Sequence, residues 1–199
     1  MEPISTEEKI IRAADKIFTQ KGYAATRTRE IAEEAGTNLA LLNYYFGSKE
    51  KLFKQVVREK LRLLLSAIGP IASDENIPID DKIRKITENY TTLLLANEEL
   101  PLFILNEWSV NKNLFADLIR NTRQMAQPVI EKQLRENGIE ITAEDLIVNT
   151  LGMILFPFIA KPLIHSSRLV KEDQFTAFVE GRKEKIPEWI RKITDKQAQ

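Results

Sequence analysis

The sequence contains no cysteine and a single histidine, His165. Without cysteine, the chain cannot form a disulfide, use a thiolate nucleophile or bind a metal through sulfur. One histidine excludes a metal site built from several histidines and weakens any histidine-based catalytic arrangement. A Gly-rich phosphate loop and a nucleophile elbow are missing too. We therefore expect no metal, no cofactor and no enzymatic activity, although an enzyme that uses only carboxylates stays open.

Long apolar runs are also lacking, since none reaches the roughly 18–20 residues that a membrane span needs. The first residues, MEPISTEEK, contain neither the basic segment nor the apolar segment of a secretory signal. These two absences predict a cytoplasmic protein that does not bind a membrane.

An excess of one charge sign is absent as well, because 29 Lys and Arg balance 29 Asp and Glu. Residues 1–60 hold 11 basic and 9 acidic residues, which gives them a balance of only +2. A DNA-binding protein needs a local positive face and not a basic composition. The charge therefore permits DNA binding without indicating it.

Apolar residues occur at helical spacing from end to end, with no convincing two-residue alternation of the kind that marks strands. Ser5, Asn38 and Ser48 are good N-caps for the first, third and fourth helices, and the fourth runs to about Ile68. After a break at Gly69-Pro70 and 73–78, further helices are predicted at about 80–97, 100–108, 112–137, 142–164 and 171–195. The expected fold is all-α: a three-helix N-terminal domain (1–48) is joined by the long fourth helix to a larger helical domain (49–199).

Residues 22–53 carry the clearest functional signal. They contain two short helical patterns separated by a turn at Gly36, the arrangement of a helix-turn-helix whose second helix enters a DNA major groove. In that second helix, Leu42 and Phe46 are four residues apart and are expected to pack inward. The outward side is then formed by Leu39, Ala40, Leu41, Asn43 and Tyr44.

The same helix contains no Arg or Lys, which excludes bidentate readout of guanine by a side chain of this helix. Asn43 can pair with an adenine edge, and Leu41 or Ala40 can contact thymine methyl groups. The alternative is that Leu39 and Leu41 are buried, which would reduce the reading face to Asn43 and Tyr44.

Phosphate contacts are expected on both sides of this helix. The hydroxyls of Tyr44 and Tyr45 are suitable donors, and Lys49 adds charge beside the first backbone amides of the fourth helix. Thr28 and Arg29, at the start of the second helix, can reach phosphates or one base. Tyr45 could instead pack at the helix junction.

Three segments in the right order resemble the TetR family of transcriptional regulators: IIRAADKIFTQKGY, TRTREIAEEAG and TNLALLNYYFGSKEKLF. The likeness covers about the first 60 residues. It implies DNA contacts at the positions that match the family's motif, which are Thr28, Arg29, Leu39, Ala40, Leu41, Asn43, Tyr44, Tyr45 and Lys49. Asn43 stands where many members have an aromatic residue, so the family's base preference does not carry over.

The resemblance also implies that the C-terminal domain binds a small-molecule effector and forms a homodimer. Apolar residues with a few polar groups make a candidate effector pocket of Phe103, Glu107, Trp108, Phe115 and Arg123, although an ordinary core explains them equally well. Residues 146–164 are apolar nearly all round, so the helices at about 142–164 and 171–195 are predicted to form the dimer interface. Burial within a monomer is the alternative.

These observations predict a sequence-specific DNA-binding regulator, specifically a repressor that a small molecule releases from a pseudo-palindromic operator. The competing interpretation is a helical module that binds proteins or small molecules and does not read DNA.

Overall fold

The computed structural model of the chain describes the backbone of residues 4–110 and 112–194 and the side chains of residues 4–109 and 115–194. Throughout these residues the regular structure is helical, as the apolar periodicity predicts. The helices are α1 (Thr6–Ala25), α2 (Thr28–Glu34), α3 (Leu39–Phe46), α4 (Lys49–Ser66), α5 (Gly69–Ser73), α6 (Ile79–Ala96), α7 (Leu100–Val110), α8 (Lys112–Glu136), α9 (Ala143–Ile159), α10 (Lys161–Ser166), α11 (Phe175–Glu180) and α12 (Arg182–Thr194), with a 3₁₀ turn at Glu172–Gln174.

Side-chain caps begin four of these helices. In each case a Ser, Thr or Asn oxygen accepts a hydrogen bond from the backbone N–H three residues later, which satisfies one of the free donors of the first turn. The donor–acceptor distances are 2.9–3.2 Å. The caps are Ser5, Asn38, Ser48 and Thr142.

The expected break after the fourth helix is wrong in part, since Gly69–Ser73 forms the short helix α5. Pro70 lies in the first turn of α5, where a missing backbone N–H costs nothing and the fixed φ of proline suits the helix. The Gly-Pro pair therefore begins a new helix two residues after α4 and its cap have ended.

The two long C-terminal helices predicted at about 142–164 and 171–195 are each divided. The first ends at Ile159 and restarts as α10, because Pro162 lacks the N–H that would continue the hydrogen bonding of α9. The second consists of the 3₁₀ turn, α11 and α12, and Gly181 separates the last two helices.

Helix α4 lies between the N-terminal helices and the rest of the chain. The ring centroid of Phe53 on α4 lies 4.8 Å from that of Phe18 on α1 and 6.3 Å from that of Phe103 on α7. Lys60, also on α4, pairs with Asp15 of α1 at 2.5 Å and lies 5.2 Å from the Phe103 ring. Helices from both predicted domains therefore pack on α4. The boundary predicted between residues 48 and 49 lies at the N-cap of this helix, Ser48.

None of the described helices is both long enough and apolar enough to cross a membrane.

Candidate DNA-binding surface

The turn between α2 and α3 has the geometry that a helix-turn-helix requires. The backbone N–H of Thr37 donates to the carbonyl of Ala32 at 2.9 Å, and the N–H of Gly36 donates to the carbonyl of Glu33 at 3.1 Å. This pair of bonds is a Schellman motif, which needs a left-handed residue after the helix. Gly36 supplies it with a φ of 64°. Asn38 then caps α3 directly, so the chain reverses within a few residues.

Two buried side chains fix how α3 faces the protein. Leu42 is 0% exposed and Phe46 is buried beside it, among the core residues Ile31 and Phe18. The inward orientation that the four-residue spacing predicts is confirmed. Gly47 ends the helix at a φ of 72°, with its N–H bonded to the carbonyl of Asn43 at 2.8 Å.

The opposite side of α3 is an exposed, uncharged surface. Leu39 and Leu41 are exposed and not buried, so the reading face is not reduced to Asn43 and Tyr44. Tyr44 is 81% exposed, the most accessible of the large apolar side chains on this helix. The exposed members of this surface are Leu39, Ala40, Leu41, Asn43, Tyr44 and Tyr45.

Tyr45 is partly exposed and stands edge-on to Tyr44, with 5.4 Å between the ring centroids. It also lies 6.3 Å from the ring of the buried Phe46. The two alternatives for Tyr45 therefore combine, because the ring leans on its neighbours while part of it stays open to a phosphate.

Lys49 begins α4 and is held by an aromatic ring that sequence reasoning did not include. Its Nζ lies 4.4 Å from the ring centroid of Tyr23, within the range of a cation–π interaction. Tyr23 in turn lies 4.8 Å from Phe53 and 6.2 Å from Phe18. The ring thus supports the lysine from the core. Only the aromatic character of the Gly22-Tyr23 pair near the end of α1 hinted at this role.

The start of α2 places Thr28 and Arg29 at the edge of the surface. Thr28 is half-buried, whereas Arg29 is exposed and lies 3.6 Å from Glu33 in an ion pair that is open to water. Such a pair is worth little, so the guanidinium can turn towards a phosphate at small cost.

Acidic residues of α2 are neutralised by lysines of α1. Glu30 pairs with Lys21 at 3.2 Å and Glu34 with Lys16 at 2.5 Å. The hydrogen bond from Lys21, followed by that from the backbone N–H of Arg27, lowers the pKa of Glu30. These pairings reduce the negative charge beside a surface that is expected to face phosphates.

A cavity of about 300 Å³ lies in the C-terminal part of the molecule. Helices α4, α5, α6, α8 and α9 all contribute to its wall, which is almost wholly aliphatic. Among its lining residues are Leu65, Ile86, Ile119, Ala126, Ile130 and Leu151. Its volume is at the lower end of the range for small-molecule sites.

Of the five predicted pocket residues, Arg123 lines this cavity and the other four lie elsewhere. Phe103 packs towards α4, and Glu107 is half-buried on α7. Trp108 stacks on the fully buried Phe115 with 5.5 Å between ring centroids. The sequence could not indicate the cavity found here, because its wall comes from five separate segments. An effector site that includes Phe103, Glu107, Trp108 and Phe115 stays a prediction.

An exposed apolar face runs along α9 and α10. Val148 and Leu163 are exposed and Phe156 is 61% exposed, with the open backbone of Gly152 between them. Ile193 of α12 is also exposed. These residues belong to the two segments for which the sequence predicts a dimer interface.

Comparison with known proteins supports the helix-turn-helix. A family model described as "Bacterial regulatory proteins, tetR family" matches residues 10–56, which span α1 to the middle of α4. The "Probable HTH-type transcriptional regulator YttP" of Bacillus subtilis is 24% identical over 197 residues, covering 96% of this chain and 94% of the relative. The "HTH-type transcriptional repressor NicS" of Pseudomonas putida is 27% identical over 157 residues, or 73% of each protein.

These matches support a TetR family transcriptional regulator, with the family model covering the N-terminal helices. The chain is a helix-turn-helix DNA-binding regulator and not an enzyme. Regulators of this family bind DNA operators and small-molecule effectors and are typically dimers.

Solved structures resemble the fold of this chain over nearly its whole length and not only over its N-terminal helices. The fatty acid degradation regulator FadR from Bacillus halodurans superposes with a TM-score of 0.68 at 15% identity, covering 94% of this chain and 96% of that one. The regulator PfmR from Thermus thermophilus gives a TM-score of 0.66 at 18% identity, covering 92% and 95%. At these identities the likeness concerns the fold alone.

Proposed function

We propose that a homodimer of this chain represses transcription by binding a pseudo-palindromic operator, and that a small molecule in the C-terminal domain releases it. The observation that carries the proposal is the two-sided character of α3. Leu42 and Phe46 anchor one side in the core while Leu41, Asn43 and Tyr44 stand free on the other. A helix whose one side is anchored in the core keeps its other side in a fixed orientation towards DNA.

DNA recognition then divides between two kinds of contact. Asn43, Ala40, Leu41 and Leu39 meet base edges, where an amide can pair with adenine and apolar groups can contact thymine methyls. Phosphate contacts come from the residues that flank them, which are Thr28, Arg29, Tyr44, Tyr45 and Lys49. Because α3 has no cationic side chain, one protomer binds only moderately and two are needed for a stable complex.

Dimerisation supplies the second α3. The exposed apolar side chains Val148, Phe156, Leu163 and Ile193 would be buried between two copies of the α9, α10 and α12 surfaces. Contiguous apolar patches of this kind mark interaction sites in proteins. A twofold axis through this contact would set the two reading helices about one helical turn of DNA apart, roughly 34 Å.

The effector acts through the cavity beneath α4. Leu65 of α4 lines the cavity, and Lys49 at the other end of the same helix lies on the DNA-binding surface. A ligand that prefers the conformation with the wrong spacing of the reading helices would lower DNA affinity by the ratio of its two binding constants.

Selection of bound fragments from random DNA by the full-length protein tests this function. The expected result is enrichment of an inverted repeat. Asn43→Ala should weaken binding to the selected site by roughly 10- to 100-fold for each half-site that uses the pairing, and leave non-specific binding unchanged. Asn121→Ala, an exposed asparagine on α8, is the matched control.

A reporter gene placed behind the selected site completes the test, with expression expected to fall when the protein is present. Failure to enrich any sequence, together with capture of a stable protein partner, would favour the alternative of a helical interaction module. A selected site that lacks twofold symmetry would contradict the dimer arrangement.

A further inference from the structure

Three charged side chains line the cavity, and the one that is buried, Lys82, is already engaged. Lys82 is 1% exposed, and its Nζ donates to the carbonyl of Ile71 at 3.0 Å and to the carbonyl of Asp74. These two carbonyls belong to the C-terminal end of α5 and the residue after it, where a helix leaves acceptors unpaired. The ammonium thus caps α5 and is not free to meet a ligand.

The polar side chains at the cavity rim satisfy one another as well. Arg123 donates to Glu144 at 2.9 Å and to Gln127 at 2.6 Å, and Gln127 donates to Glu144 at 3.0 Å. A carboxylate ligand would have to displace Glu144 from Arg123. An ammonium ligand would have to compete with Arg123 for Glu144. Neither exchange gains a net ion pair.

A single polar group in the wall lacks a partner within the described residues. Thr150 lines the cavity from α9 and is 5% exposed, and its hydroxyl makes no hydrogen bond there. The other threonine of the wall, Thr122, donates to the carbonyl of Leu118 at 3.1 Å. An unpaired buried hydroxyl costs free energy. The Thr150 oxygen has almost no accessible surface, so a ligand with a hydroxyl or carbonyl group recovers this cost when the side chain turns its hydroxyl into the cavity.

The volume limits the size of the ligand. An apolar cavity of roughly 150 Å³ accepts benzene. The cavity here, at about 300 Å³, therefore suits a molecule of about twice that size.

We propose that the effector of this regulator is an uncharged, mainly apolar molecule with one hydroxyl or carbonyl group that pairs with Thr150. The proposal rests on the function proposed above, since it assigns a chemical class to the effector of that function. A charged group inside the cavity would lose its hydration against an almost wholly aliphatic wall. Lys82 is engaged by two backbone carbonyls, and Arg123 and Glu144 pair with each other at the water-exposed rim.

The test uses matched sets of probes that differ only in the polar group. Suitable sets are octanol, octanoate and octylammonium, the corresponding decyl compounds, and naphthylmethanol, naphthoate and naphthylmethylammonium. Titration calorimetry on the full-length protein at neutral pH measures binding without DNA. The alcohol should bind at least about tenfold more tightly than both ions in any set that binds. Equal or tighter binding of an ion, or no alcohol binding below 1 mM in all three sets, would overturn the proposal.

Two variants locate the binding in the cavity. Thr150→Val keeps the shape of the side chain and should weaken alcohol binding by about fivefold or more, whereas unchanged binding would refute the hydrogen bond. Ala126→Phe fills the cavity and should abolish binding, while Ala96→Phe, at an exposed position of α6, should have no effect. Circular dichroism checks that each variant is folded, and Thr150→Val alone suffices if Ala126→Phe is not.

DNA affinity, measured separately by fluorescence anisotropy, distinguishes failure of this proposal from failure of the proposed function. Loss of the function appears as a protein that enriches no DNA sequence. Loss of the ligand assignment appears as a protein that binds its operator but prefers a charged probe.

Discussion

Replacing Lys49 gives the sharpest test of the DNA-binding surface, because the salt dependence of binding counts the phosphate contacts. Each neutralised phosphate contributes about −0.9 to the slope of log K against log salt concentration. Since a dimer carries two copies of Lys49, Lys49→Ala should make the slope less steep by about 1.8. Over a fourfold range of salt, the variant should therefore lose about tenfold less affinity than the native protein.

Fluorescence anisotropy of a labelled operator, measured between 50 and 200 mM KCl, gives both slopes. Lys171→Ala removes an exposed lysine far along the chain and should leave the slope unchanged. If Lys49→Ala also leaves the slope unchanged, Lys49 does not contact phosphate and the orientation assigned to the start of α4 is wrong.

The ring of Tyr23 should also affect DNA binding, because it orients Lys49 before DNA binds. A cation–π interaction at an exposed site is worth about 0.5–1 kcal/mol, so Tyr23→Leu should weaken operator binding by about 5- to 30-fold for the two sites of a dimer. Tyr23→Phe keeps the ring and should bind nearly as well as the native protein. A thermal melt is needed beside these measurements, because Tyr23 also packs near Phe18 and Phe53. Equal affinity of the leucine and phenylalanine variants would contradict this support.

Two further predictions concern the anchor of α3 and the apolar face. Leu42→Ala should lower the free energy of unfolding, measured by urea denaturation, by about 2–5 kcal/mol. Leu39→Ala, at an exposed position, should change it by about 0.5 kcal/mol or less. Similar losses in the two variants would mean that α3 is not anchored as described. Phe156→Glu should convert the protein from dimer to monomer, as measured by analytical ultracentrifugation. Met125→Glu, at a similarly exposed position on α8, should leave the dimer intact. A dimer that survives Phe156→Glu would place the interface elsewhere.

Local features of the fold were predictable from the sequence because their causes lie within a few residues. Ser5, Asn38 and Ser48 cap helices by bonding to an N–H three residues away, so residue type and spacing identify them. The same holds for Leu42 and Phe46, whose separation fixes one side of α3. Helix α5 was missed because Gly-Pro serves both as a stop and as a start.

Features that join distant segments were not predictable. Tyr23 and Lys49 are 26 positions apart in the chain, and nothing in their immediate neighbours indicates that they touch. The cavity depends on residues of five helices, so an apolar stretch such as 100–110 looked as suitable as the segments that line it. The family resemblance predicted that an effector site exists without saying which side chains form it.

The length of α4 determines how far one of its ends moves when a ligand displaces the other. With 18 residues at 1.5 Å each, α4 is about 27 Å long, so each degree of tilt moves one end by about 0.5 Å relative to the other. Phe53 and Lys60, on either side of the midpoint of α4, hold this helix against α1, which makes that contact a natural pivot. A ligand that displaces Leu65 by the length of a carbon–carbon bond, about 1.5 Å, would therefore tilt α4, which begins on the DNA-binding surface, by a few degrees. In a dimer whose two reading helices must match one helical turn of DNA, the two rotations add.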